Sequence, residues 1–502
     1  MRLVSSTALL CAALSVVLLG VRVDGAISFA EPLQVITSGW EQESLVALWE
    51  WLNGGAIYVS RLDIPYRWSI YNWLFYVGYG TGIEAVIGPL SLGDAGIPTV
   101  GRLLTLGAVG AGVAVAYHSY VAVLGRREPH PRPLILAFAV LVVSGPLVGF
   151  WAVTTRPDVG ALVLEIAAVA AYWRLQGRRP LAAVLVFCVL AYAAWAFKQT
   201  AIVAAVGLGL YLLARRRWTP VFVLAGTMAA AWGATLAVGS PEYVKSILMA
   251  DDKAVFSAAH GVSVFVNFAS KFVPGLLGAA AIILLLARSG CLAAAWRDNE
   301  ALVFAAAGTL AGVVLVTATT PRVGSSESYY FIIAYFLALF VLAGLRSLGA
   351  EGMDRRLASG ALSLGWIAQG LAVLAVLGGL AGVLSVRPIH EHMSRNKVCL
   401  DTVPRPLYVA DIYLSLPWMT PGTPPFVLGY GYQTLRAAGR TMERGGIGGL
   451  IEEGYFAALA LPLGTTETFD GARLDGYRPV PPGCPTFKVF LRASPPSGKI
   501  GG

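Results

Sequence analysis

The chain has 502 residues, of which 57% are apolar and only 13% charged, with a net charge of +9. Soluble domains of ordinary make-up carry about a quarter charged residues, so a single water-bounded core is excluded and the surrounding solvent must be lipid. The basic excess does not point to nucleic acid, because Lys and Arg recur as short clusters between apolar runs, as cytoplasmic membrane loops do.

The first apolar run covers 3–21 and follows Arg2. Read as a signal peptide cut after Ala26, it would leave Asp24 at the third position back, where small neutral residues are normal. Because the run is also long enough to span, a retained first transmembrane helix is the favoured reading. Ten further runs follow at 98–124, 134–151, 159–173, 181–197, 201–213, 220–238, 273–286, 302–318, 331–345 and 362–384. Together they predict an all-α polytopic membrane protein with about eleven spans.

With Arg2 inside, alternate loops hold Arg126, Arg127 and Arg132; Arg174, Arg178 and Arg179; Arg215, Arg216 and Arg217; Arg288 and Arg297; and Arg346, Arg355 and Arg356. The short loops on the other side hold one basic residue each: Arg156, Lys198 and Arg322. This asymmetry predicts a cytoplasmic N-terminus, with the long first loop and the C-terminal tail outside.

That first loop, 22–97, is rich in Trp and Tyr, and 43–52 reads as an amphipathic helix lying in the interface. A second loop, 239–272, carries mixed charge. The domain division expected is a membrane domain over 1–385 and a soluble extracytoplasmic domain over 386–502. The latter is rich in Pro and Gly, with a strand-like piece at 406–412 and a Gly-rich helix candidate at 435–453, which predicts a small mixed α/β unit. Cys399 and Cys484 both fall in it, where an oxidising compartment would allow a disulfide; two separate thiols are the alternative. Cys11 and Cys188 lie in expected helices and Cys291 in a cytoplasmic loop, and there is no Asn-x-Ser/Thr site.

The expected spans are nearly free of ionisable groups, apart from His118 and from Glu165, which lies two turns below Asp158 on the same helix face. A carboxylate at that depth costs about 2.5–3.5 kcal/mol unless partnered, so Glu165 either bonds a neighbouring helix or touches a polar ligand. Polar residues gather instead at the outer rim. They are Gly39–Glu43, Arg61, Asp63 and Tyr66; Arg102; Thr155–Asp158; Lys198–Thr200; and Pro321–Arg322 with Ser325–Tyr330. In one bundle these turns would line a single cavity, whereas singly each charge could merely anchor a loop at the headgroups. Cations beside carboxylates at a lipid boundary suit a sugar leaving from a lipid phosphate, with one carboxylate as base for an acceptor hydroxyl.

The run Gly39-Trp40-Glu41, followed by Gly54, Gly55, Tyr58, Pro65 and Tyr71-Asn72-Trp73-Leu74, resembles the first loop of GT-C glycosyltransferases. These are polyprenyl-phosphate-sugar enzymes related to protein mannosyltransferases and the lipid A aminoarabinose transferase. Arg156-Pro157-Asp158, Lys198-Gln199-Thr200 and the 325–331 stretch are similar to recurrent turns of bacterial members, and the tail to the extra domain of some. The resemblance implies a GT-C-like bundle in a bacterial inner membrane. It implies an inverting transferase that moves a sugar from a polyprenyl-phosphate donor to a hydroxyl of a cell-envelope glycan, lipid or protein.

On that basis Glu41 is the favoured base and Glu43 the next, although the family usually carries Asp there. Asp158 is either a second acid of the site or a cap of its helix. Arg102, Lys198 and Arg322 are candidates for the donor phosphate, with Arg156 near phosphate or sugar. Tyr58, Tyr66, Tyr71, Gln199 and Tyr329 would shape the substrate pocket. No metal-ligand spacing occurs, and a divalent cation is compatible with the chemistry without support from the sequence. A lipid or glycolipid transporter would instead show a polar path and internal repeats, neither of which is seen. A noncatalytic scaffold would be indifferent to rim substitutions.

Overall fold

The computed structural model describes residues 2–27, 40–125, 132–248, 255–348, 353–379, 394–411, 414–427, 430–463 and 471–493. The first apolar run is α1 (Arg2–Ile27). The first loop then contains α2 (Trp40–Leu52) and α3 (Trp73–Leu90), ahead of α4 (Ile97–Leu124), α5 (Arg132–Ser144), α6 (Asp158–Leu175), α7 (Pro180–Phe197) and α8 (Val203–Ala214). Next come α9 (Trp218–Val238), α10 (Pro241–Leu248), α11 (Ala258–Lys271), α12 (Val273–Arg288), α13 (Leu292–Asp298), α14 (Glu300–Thr319), α15 (Phe331–Ser347) and α16 (Met353–Gly378). Pro98, Pro180 and Pro274 sit in the first turn of their helices, where a missing N–H is tolerated.

Each apolar run expected to span contains a helix among the described residues. Among the described residues, α1, α4, α7, α9, α14, α15 and α16 are long and apolar enough to cross a membrane, which makes seven. An eighth arises if α11 and α12, bent by 88° about Phe272, form one span. The helices α5 and α8 are apolar but shorter, and α6 carries Asp158, Glu165 and Arg174. The helix α5 stops at Ser144 because Gly145-Pro146 follows, and the residue before a proline is pushed out of the helical region. The chain is a multi-pass membrane protein.

Within the bundle α1 packs on α5 and α16, α4 and α7 flank α6, α8 packs on α14, and α12 joins α15 to α16. An 18-residue stretch within Glu327–Ser347, most of it α15, is 89% buried and that of α9 only 11%, so α15 is the bundle's axis and α9 its lipid-facing edge.

The aromatic first loop is helical over 73–90, as α3. Asn72 starts it, its Oδ1 accepting from the Trp73 N–H at 2.8 Å. One face buries Phe75, Tyr76, Tyr79 and Ile83. Gly80 lets that face close on α2, since a Cβ there would stand 2.4 Å from the Trp51 ring.

The tail holds β1 (Leu407–Val409), α17 (Tyr430–Ala437), α18 (Gly446–Glu452), β2 (Ala458–Pro462), β3 (Tyr477–Cys484) and β4 (Phe487–Arg492). The sheet order is β1-β2-β4-β3, with β1 parallel to β2 and the other pairs antiparallel. The expected helix 435–453 is in fact two, because Gly439 and Gly445 take positive φ between them. Cys399 and Cys484 are disulfide-bonded. The expected domain boundary at 385 and residue Gly39 of the first-loop motif lie outside the described residues.

The tail docks on the first loop through shared cores. Leu45, Leu48, Trp68, Tyr71 and Phe75 cluster with Leu400, Leu407, Met419, Phe487 and Val489, and Tyr66 clusters with Tyr408, Phe426 and Tyr432. Gln42 Nε2 donates to Ser415 Oγ at 2.8 Å, and the Tyr66 hydroxyl to the Glu443 carbonyl at 2.7 Å. Gly431 makes the closest approach, since a Cβ there would fall 1.6 Å from the Trp68 ring. Gly431→Ala is therefore expected to destabilise the docked tail by about 1–3 kcal/mol, read as a lower thermal midpoint and faster proteolysis of the tail.

Candidate functional site

Three irregular segments meet at one end of the bundle: the turn into α6, the break between α7 and α8, and the stretch from α14 to α15. Each is irregular for a local reason. Pro157 precedes α6, and Lys198 leaves α7 in an extended conformation. The 321–323 stretch pairs with 255–257, with Ser257 N–H donating to the Pro321 carbonyl at 2.7 Å and Val323 N–H to the Val255 carbonyl at 2.8 Å.

The first residue of α6, Asp158, does not cap its helix; its carboxylate is an ionic hub. Lys198 Nζ donates to its Oδ1 at 2.6 Å, and Arg156 Nε stands 3.2 Å from its Oδ2. The Arg156 guanidinium stacks over Trp151 at 5.4 Å, while Lys198 lies 5.0 Å above the Tyr329 ring and donates to Ser328 Oγ at 3.2 Å. Gln199 Nε2 donates to the Ile70 carbonyl at 2.7 Å, and its Oε1 is buried with no hydrogen-bond partner among the described residues.

Two cavities meet at Lys198, Gln199, Thr200, Ser328 and Tyr329. The smaller, of about 60 Å³, reaches Tyr71 and Arg156 on the side of the first loop. The larger, of about 180 Å³, runs down between α6, α8, α14 and α15 to Glu165, between apolar walls that include Leu162, Val316 and Ile332. Arg156, Lys198, Asp158, Tyr71, Gln199 and Tyr329, all singled out from sequence, therefore share one place.

The remaining candidates fall elsewhere. Both Glu41 oxygens are engaged by Arg102, Nε at 3.0 Å and Nη2 at 3.1 Å, and Oε1 also accepts from Thr155 N–H at 2.7 Å. Arg102 Nη1 donates to the Ala26 carbonyl at 2.7 Å. This buried pair ties α1, α2, α4 and the turn into α6, so Glu41 and Arg102 act as a brace away from either cavity. Glu43 also is buried and lines neither cavity, but its Oε2 has no hydrogen-bond partner among the described residues, and burial pushes its carboxyl up to about 8 against the pull of nearby Arg156.

Tyr58 donates to the Tyr71 carbonyl at 2.7 Å but faces a separate groove with Trp73, Tyr192 and Tyr243. Tyr66, at φ 60°, belongs to the tail interface, and Arg322 lines neither cavity. Trp151, which backs Arg156, was missed because it ends an apolar run; the Gly145-Pro146 break before it was the available signal. Among the described residues no group of three or more His, Cys, Asp or Glu side chains is placed to hold a metal ion.

No protein-family model matches the chain, and no curated protein matches it by sequence. Among solved structures the chain is similar to ArnT from Cupriavidus metallidurans. The crystal structure bound to undecaprenyl phosphate superposes at a TM-score of 0.56 with 13% identity, covering 95% of this chain and 97% of that one. The apo crystal structure gives a TM-score of 0.52 with 14% identity over the same shares. The chain has the ArnT fold, the GT-C-like architecture expected from its motifs.

Removing one member of the Glu41–Arg102 pair leaves the other charge buried. Arg102→Gln is expected to cost about 3–5 kcal/mol of stability, and Glu41→Gln added to it should restore a large part, read by thermal unfolding of the single and double variants.

Proposed function

We propose that this protein is an inverting glycosyltransferase of a bacterial inner membrane, with the rim site on the extracytoplasmic side. It moves a sugar from a polyprenyl-phosphate donor to a hydroxyl of an envelope glycan, lipid or protein. In this reading 1–385 is the membrane catalytic domain and 386–502 a soluble domain beside the acceptor. One observation carries the reading: two cations, Lys198 and Arg156, share the single carboxylate of Asp158 at the cavity mouth, while a second carboxylate, Glu43, has no ion-pair partner among the described residues and lies near Tyr71 and Arg156. The fold shared with ArnT, crystallised with undecaprenyl phosphate, supports the donor class.

Two positive charges against one negative leave one net positive charge at the mouth, which suits a phosphate ester. Lys198 and Arg156 hold that phosphate and take up the charge that develops as it leaves. Asp158 fixes both cations; it is a positioning residue. Glu43 is the base: the acceptor oxygen attacks the anomeric carbon, the carbon–oxygen bond to phosphate breaks with its electron pair leaving on polyprenyl phosphate, and the acceptor proton passes to the Glu43 carboxylate. A single displacement inverts the anomeric centre.

The test follows release of free polyprenyl phosphate from a panel of polyprenyl-phosphate sugars, with protein in nanodiscs and membrane extract as acceptor. Glu43→Gln is expected to lower turnover about 10²–10⁴-fold while donor binding persists. Because the base must be ionised and its carboxyl sits at about 8, wild-type turnover should rise with pH up to about 8 and level off above it. Absence of release from every donor would overturn the transferase reading.

A further inference from the structure

The larger cavity ends on a carboxylate that the mechanism does not use. Glu165 is seven residues beyond Asp158 on α6, so it points the same way about 10 Å further into the bundle. It is buried, and Oε1 accepts from the Ala204 N–H at 3.0 Å, in the first turn of α8. No ion pair is formed by Glu165 among the described residues, unlike Asp158. Backbone N–H groups of Val203 and Ala204 are its hydrogen-bond partners among the described residues, for a group that costs about 2.5–3.5 kcal/mol to place at that depth. A plain helix-start cap needs no cavity, yet Glu165 lines one whose other end is formed by Lys198.

Donors in the cavity lining, the Lys198 ammonium and the hydroxyls of Thr200, Thr319, Ser328 and Tyr329, stand beside mostly apolar walls, with the Glu165 carboxylate as a second charged acceptor besides Asp158. Gln199 also lines the cavity, and its Oε1 is buried without a hydrogen-bond partner among the described residues. A carboxylate and an amide oxygen only accept, so these two groups call for a ligand that brings its own O–H groups. At about 180 Å³ the space takes one ring, not a chain of them. Its upper end is formed by Lys198, one of the two cations assigned to the donor phosphate, so a sugar esterified to that phosphate lies beside the opening.

Resting on the transferase reading, we propose that Glu165 is a specificity-determining residue for the transferred sugar. Its carboxylate and the Gln199 side-chain oxygen accept hydrogen bonds from hydroxyls on the side of the ring far from the phosphate, so the enzyme selects a hydroxylated ring over a deoxy ring of the same size. The energetic asymmetry favours such a device. A site built around buried acceptors rejects a ligand lacking the matching O–H by roughly 10⁴-fold or more, whereas an apolar pocket discriminates a missing group by only about 10–200-fold.

The experiment compares kcat/KM for the best polyprenyl-phosphate hexose and its singly deoxygenated analogues in wild type, Glu165→Leu and Glu165→Gln. Wild type should reject one deoxy analogue by roughly 10⁴-fold, and Glu165→Leu should bring that ratio down toward about 100-fold. Glu165→Gln keeps an oxygen for the Ala204 N–H; it decides the matter if the Leu variant does not fold, and should lose at least about tenfold of the selectivity. Wild type that turns over the hexose while all three proteins share one selectivity pattern would overturn the role of Glu165 and leave the transferase reading standing. No turnover of any donor by wild type would remove the transferase reading, and this proposal with it.

Discussion

The triangle of Arg156, Asp158 and Lys198 is the constraint on which the rest of the site depends. Burying three charges is expensive, and their mutual contact, a hydrogen bond from Lys198 and an ion pair with Arg156, offsets the lost hydration. Their positions are therefore not free. Asp158 must start α6, Lys198 must leave α7 as an extended residue, and the turn before α6 must bring Arg156 back over Trp151. The 326–329 stretch closes the arrangement through Ser328 and Tyr329. That one cluster explains why α8 begins only at Val203 and why two cavities open where helices stop short.

A second buried pair holds the roof. Arg102 and Glu41 join α4 to α2, and Glu41 also receives the Thr155 N–H one residue before Arg156. The aromatic loop thus has a fixed register against the charged triangle. The tail then packs its sheet residues against the same loop through Trp68, Tyr71 and Phe75. Rigid support of this kind is what a site needs if a carboxylate such as Glu43 is to stay buried and unpaired beside a guanidinium.

Much of this was legible in the sequence because the relevant signals are local. Apolar runs give helices, and basic clusters alternate by loop. The turns 155–158 and 198–200 break long runs with charged residues that have no other reason to be there. What failed was partner choice. Glu41 and Glu43 lie two residues apart, and nothing in their spacing says that Arg102, 61 residues away, takes the first and leaves the second. Tyr66 read as a pocket residue because it sits among aromatics, yet its partners Tyr408, Phe426 and Tyr432 lie in the tail, more than 300 residues on. The helix α3 was hidden by Gly78, Gly80 and Gly82, which weaken the helical pattern, although Gly80 and Gly82 allow close contact with α2 and α4.

The most direct test of the charged triangle is binding of polyprenyl phosphate itself to the full chain in nanodiscs, measured for wild type, Lys198→Gln and Arg322→Gln. The account expects wild type and Arg322→Gln to bind alike and Lys198→Gln to lose at least about tenfold in affinity, since one charge-assisted contact with phosphate is worth about 1.5–3 kcal/mol. Equal affinity in Lys198→Gln and wild type would contradict the claim that this end of the bundle holds a lipid phosphate.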